Sequence, residues 1–219
     1  MSCLAPYGIS GEWHDIHEQI REHGVQSVPW LHVFAHNGHE LGVQLLIDKG
    51  FDPRTRGFFQ ETVFELVAER GDFILMGILL DSVKDVDMDN ILNTTAKMGH
   101  AALLQSLVER GANINLAGGQ EPLLIVGTRE GQVSIVRLLL EEGAETEARN
   151  KVGETALIVA SKLGYTEIVE LLVKSGAKLA AKNSAGETAL RVAQLMKFDE
   201  CIRVLKAKQQ TGSSNCVTI

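Results

Sequence analysis

The sequence predicts an all-α solenoid of stacked helical hairpins joined by short β-hairpin fingers. Three observations carry this. The skeleton of Asn150–Leu172 returns 33 residues later, with Gly153 on Gly186 and Thr155 on Thr188. Stepped back by the same interval, Gly164 falls on Gly131, Ile168 on Ile135 and Gly176 on Gly143. A fixed period of this size marks a repeat array in which each unit buries its apolar face only against its neighbours. Aromatic residues are only 5% of the chain, as suits thin layers filled by Leu, Ala, Val and Ile.

The residues of one period account for one helical hairpin. Thr155 stands where a hydroxyl can accept an orphan N–H at the helix start. Ala156, Leu157 and Ala160 give the first helix a narrow apolar face, so that neighbours approach closely. Gly164 ends it, because glycine takes positive φ without a steric penalty. Ile168, Val169, Leu171 and Leu172 form the i, i+3, i+4 stripe of the second helix. Gly176 closes that helix and Ala177 begins the next hairpin. The pattern G-x-T-A-L, then A, G, I-V-x-L-L and G-A resembles the ankyrin repeat. That resemblance implies a β-turn followed by two antiparallel helices, and it covers about residues 24–206 in six repeats.

Taken in order, residues 1–23 form an N-terminal segment. Within it Glu12–Gly24 reads as a degenerate half-repeat that caps the first layer; a separate docking helix is the alternative. The first full repeat holds Leu31, His32, Gly38, His39 and Gly50, and the second holds Thr62, Phe64, Gly71 and Leu75. Then the register breaks. Gly71 to Gly99 is 28 residues instead of 33, so an acidic connection with Asp81, Asp85, Asp87 and Asp89 replaces a full finger. The third repeat is irregular over 81–100, with Asn90 at the capping position. The fourth has Pro122 there. The fifth and sixth follow the pattern best, although Lys197 replaces the glycine between the helices of the sixth. Residues 207–219 read as a polar, flexible tail.

Composition narrows the function. A net charge of −7 disfavours non-specific nucleic-acid binding. Cys3, Cys201 and Cys216 offer neither metal-ligand spacing nor a disulfide framework, which favours a reducing compartment, cytoplasmic or nuclear. No apolar run is long enough to span a bilayer, and the first ten residues lack the features of a secretory signal. His32 and His36 have the i, i+4 spacing of a helical metal site, but no carboxylate is placed to complete one, and the resemblance gives His32 a structural role tying helix to hairpin. No nucleophile elbow, phosphate loop or dinucleotide motif is present, so no catalytic residue, cofactor or metal is expected.

What remains is protein binding, as an adaptor, inhibitor or assembly factor. The geometry implied by the resemblance puts inner-helix side chains and finger tips on the binding face. Lys97, Arg129 and Lys162 then share one column, with Val126 and Val159 in the next. Phe58 and Phe59 fall near the tip of a finger, where aromatic residues make good anchors. Cys216-Val-Thr-Ile219 fits a prenylation signal loosely, because Thr218 and Ile219 are poor matches. A membrane-tethered adaptor lipidated at Cys216 is therefore one alternative, and a regulator that blocks an enzyme's cleft is another.

Overall fold

The computed structural model describes residues 30–57, 60–115 and 121–213. Twelve helices pair into six hairpins among these residues. They are α1 (Trp30–His36) with α2 (Glu40–Asp48), α3 (Val63–Arg70) with α4 (Phe73–Ser82), and α5 (Met88–Met98) with α6 (Ala101–Glu109). Next come α7 (Leu123–Arg129) with α8 (Val133–Glu141), α9 (Ala156–Leu163) with α10 (Thr166–Lys174), and α11 (Ala189–Met196) with α12 (Asp199–Ser213). The chain divides into two compact units, residues 1–91 and 92–219.

In the first unit α1 packs on α3 and α2 on α4. In the second, the first helices of successive hairpins stack as α7, α9 and α11, and the second helices as α6, α8, α10 and α12. The 33-residue period is thus realised as two parallel files of helices. The core is thin and aliphatic: Leu75, Leu79, Leu104, Leu139, Val169 and Leu172 are fully buried. As expected, the resemblance's β-element is small. Two isolated antiparallel bridges, Arg56 with Thr62 and Lys182 with Thr188, mark fingers among the described residues.

Helix ends follow local chemistry. Thr62 makes a full capping box: its hydroxyl accepts from the Glu65 N–H while the Glu65 carboxylate accepts from the Thr62 N–H. Thr188 accepts from the Arg191 N–H at 3.3 Å. Thr155 corrects the expectation for its repeat. It occupies the N-cap position, but its hydroxyl makes no cap hydrogen bond, and Ile158 at the third helical position has no carboxylate to complete a box. Asn90 is corrected as well. It lies inside α5, which begins at Met88, and Asp87 caps that helix by accepting from the Asp89 N–H at 3.1 Å. Gly164 takes the left-handed conformation expected of it, φ 74°, and Lys197 adopts the same region at φ 62°.

The break in register is visible as a missing finger. Residues 83–87 join α4 to α5, where residues 175–188 join α10 to α11. At the other end, α12 continues through 207–213, residues that composition marks as part of the tail.

Candidate protein-binding face

In the second unit the two residues before each inter-helix turn define the candidate face. They are Lys97 and Met98 on α5, Arg129 and Glu130 around the end of α7, Lys162 and Leu163 on α9, and Leu195 and Met196 on α11. The packing of α9 between α7 and α11 makes positions 129, 162 and 195 neighbours along the file.

The cations are not solvated as a simple charged column would be. Arg129 is ion-paired with Glu121, and the Lys162 Nζ sits 3.0 Å from Glu154 Oε1. Each carboxylate belongs to the finger that leads into the same repeat. The Glu154 side chain is only 10% exposed, and it also accepts from Asn150 Nδ2 at 3.1 Å. Burial alone would raise its pKa, but the Asn150 bond and the charges of Lys162 and Arg129 outweigh burial and hold it below the usual carboxylate range. Asn150 in turn shapes the finger: its Oδ1 accepts from the N–H groups of Val152 and Glu154. Asn183 does the same 33 residues later for Ala185 and Glu187. Arg129 and Lys162 therefore tie inner helices to fingers. Lys97 is exposed on the surface of α5.

Val126 and Val159 are 4% exposed and belong to the core between stacked helices. The exposed apolar atoms of the face come from the other positions. Met98 is 44% exposed, Leu163 39%, Leu195 50% and Met196 48%. Leu163 and Met196 share one repeat position and Leu195 stands beside them, so a contiguous apolar strip crosses α9 and α11. Phe58, Phe59 and Cys216 lie outside the described residues.

One packing rule was hidden from motif reading. In repeats four to six the residue after the inter-helix turn covers the turn glycine of the preceding repeat. The Tyr165 ring lies over Gly131, the Phe198 ring over Gly164, and the Gln132 amide over Gly99. Gln132 also donates to the Lys97 carbonyl at 3.2 Å. A spacing of 34 residues between Gly131 and Tyr165 is the sequence signal for this contact.

In the first unit His32 is 1% exposed, and its Nε2–H donates to the Glu61 carbonyl at 3.2 Å. It thus ties α1 to the second finger, as the resemblance implied. No cluster of potential metal ligands occurs among the described residues. Burial lowers the His32 pKa below 6.5, against the raising effects of the Glu61 carbonyl and carboxylate and the Thr55 backbone. The folded state thus disfavours the imidazolium that the unfolded chain accepts near pH 6.5. Stability should therefore be retained above that pH and fall as the pH drops through it, by at most about 1.4 kcal/mol per pH unit for this group. Urea titrations from pH 7.5 to 5.5, followed by the fluorescence to which buried Trp30 contributes, should show that slope, and His32→Gln should flatten it.

Comparison with known proteins agrees with this geometry. The family model for ankyrin repeats matches residues 123–216 in three copies. The chain carries ankyrin repeats over residues 123–216. Its array superposes on the ankyrin repeat domain of Bcl-3, a member of the IkappaB family, with a TM-score of 0.73 at 26% identity over 88% of this chain and 91% of that one. It also matches a chain in the complex of the predatory endopeptidase Bd0816 from Bdellovibrio bacteriovorus with immunity protein Bd3460, with a TM-score of 0.68 at 23% identity, covering 84% and 100% of the two chains. Among curated sequences, human ankyrin repeat and SOCS box protein 18 is 29% identical over 161 residues, 69% of this chain and 33% of that protein. The Caenorhabditis elegans homolog of transient receptor potential cation channel subfamily A member 1 is 25% identical over 126 residues, 58% of this chain and 8% of that protein. The ankyrin array therefore aligns with a third or less of either relative's length. No helix among the described residues is long and apolar enough to cross a membrane.

Proposed function

We propose that this ankyrin array is a non-catalytic protein-binding module whose contact surface is centred on the strip formed by Leu163, Leu195 and Met196, with Met98 exposed on the same face of the third repeat. The single observation that carries the reading is exposure. These long apolar side chains are between 39% and 50% exposed, Leu163 and Met196 at one position of successive repeats and Met98 at that position in the third, beside the helix–finger ion pairs of Arg129 and Lys162. An apolar centre with a polar rim is the anatomy of a protein interface. The repeats themselves support the same reading, because their recurring residues are spent on stacking and leave the surface to recognition. The complex of an endopeptidase with an immunity protein, in which a similar fold occurs, makes an enzyme one class of partner to test.

The intended partner is a folded protein that brings its own apolar patch. Salt should therefore affect capture only moderately, since Arg129 and Lys162 are already paired. Capture from lysate by the intact chain should fall at least tenfold in the double variant Leu163→Glu, Met196→Glu, because two carboxylates would be buried in the contact. Ile74→Glu, at an exposed site on α4, should leave capture unchanged. Equal capture by wild type and the double variant would remove this face from consideration.

A further inference from the structure

The missing third finger leaves a notch in the first unit that no motif pointed to. A cavity of about 220 Å³ opens between the second finger and the short 83–87 connection. Phe64, Val86 and Ile91 supply its apolar lining, and Arg54, Arg56, Glu65, Asp85 and Asp87 its charges, Arg54 being ion-paired with Asp52. The protein contains its own template for what fills such a place.

Arg56 and Arg149 occupy the same finger position, six residues before the helix N-caps Thr62 and Thr155. Arg149 donates from Nη1 to two carbonyls: Gly153 of its own finger at 2.8 Å and Lys182 of the next finger at 2.5 Å. The next finger also adds a backbone bond, Ser184 N–H to the Val152 carbonyl at 3.3 Å. Arg56 keeps the first contact, donating to the Gln60 carbonyl of its own finger. Among the described residues no second carbonyl stands where Lys182 does, because repeat three has no finger to supply it. A guanidinium has five donors in a fixed plane, so Arg56, with one such contact against two for Arg149, lines the cavity with donors to spare.

We propose that this notch binds an extended, finger-like segment of a partner protein, which takes the place of the absent third finger. The segment offers a backbone carbonyl to Arg56, as Lys182 does to Arg149. It places a small apolar side chain on Phe64, Val86 and Ile91. It carries a Lys or Arg, which the exposed carboxylates of Asp85 and Asp87 attract. The guanidinium–carbonyl hydrogen bond and the apolar contact give such a complex its affinity, and the charge gives it selectivity. The notch lies wholly within residues 1–91, so it is a different site from the apolar strip of the second unit, and the two stand or fall separately.

The test uses the full chain and a labelled, head-to-tail cyclised peptide of its own sixth finger, residues 178–188, which carries Lys182 and is pre-organised as a hairpin. Fluorescence anisotropy should show saturable binding. Arg56→Ala should weaken it at least tenfold, and so should Asn90→Trp, which fills the notch from an exposed position on α5. A peptide with Lys182→Glu should also bind at least tenfold more weakly. Both protein variants alter exposed side chains, and an unchanged circular dichroism melt confirms that they fold. Absence of saturable binding, or binding that persists in either protein variant or with the Lys182→Glu peptide, overturns the proposal.

Discussion

Leu139→Ala should lower the stability of the second unit by about 3 kcal/mol. Leu139 is fully buried on α8, and α8 packs against α7 in its own hairpin and against α6 and α10 in the neighbouring ones. The substitution removes three carbons from a helix that packs against three others. Part of the loss is the transfer free energy of those carbons, and the rest is the cavity that stiff helical neighbours cannot fill. In a repeat array this loss is felt at two interfaces at once, because each unit is stabilised by its nearest neighbours. A stability of about 5–15 kcal/mol is usual for a natural domain, so the change is a large fraction of the whole. Urea unfolding followed by circular dichroism should show the shift. Leu41→Ala is the matched control: Leu41 is 85% exposed, and its truncation should move the midpoint little. A Leu139→Ala midpoint equal to that of Leu41→Ala would mean that the files of helices are not tightly packed.

Gly164→Ala should cost about 2–3 kcal/mol, and Gly176→Ala about 1 kcal/mol. Both glycines have positive φ, 74° and 87°, so both substitutions bear the left-handed backbone penalty. They differ in what a new methyl group meets. At Gly164 it would lie 2.7 Å from the Phe198 ring, whereas at Gly176 nothing lies within 4 Å. Lys197, at φ 62°, shows that a residue with a side chain can occupy the left-handed conformation in this array. The decisive term at Gly164 is therefore the ring, which must leave its seat on the preceding repeat. Phe198→Ala in the Gly164→Ala background should recover part of the loss, with a coupling that the double-mutant cycle measures directly. Additive effects would show that the Phe198 ring is not what the methyl group strikes.

How much of this was legible in the sequence differs from element to element. The helical hairpins of the fifth and sixth repeats were legible because glycine, alanine and β-branched residues recur every 33 residues, and local sterics bind those residue types to those positions. The absence of a third finger was legible as a short count between Gly71 and Gly99, since five missing residues cannot be made up by any backbone. The start of α5 was not. Asn90 and Asp87 are both good caps, and the choice of Asp87 depends on where the clipped connection can place a helix end. The fate of the charges was also decided by tertiary structure. Counting by repeats puts Lys97, Arg129 and Lys162 in one column, but a column says nothing of partners. Glu121 and Glu154 stand eight residues before Arg129 and Lys162, just ahead of the inner helices that carry those cations. A side chain's solvation is set by what lies within a few ångströms of it, and only the folded chain brings finger and helix to that distance. The same reason turns Val126 and Val159 inward, leaves Leu163 and Met196 outward, and gives Arg56 a carbonyl on one side and an open cavity on the other.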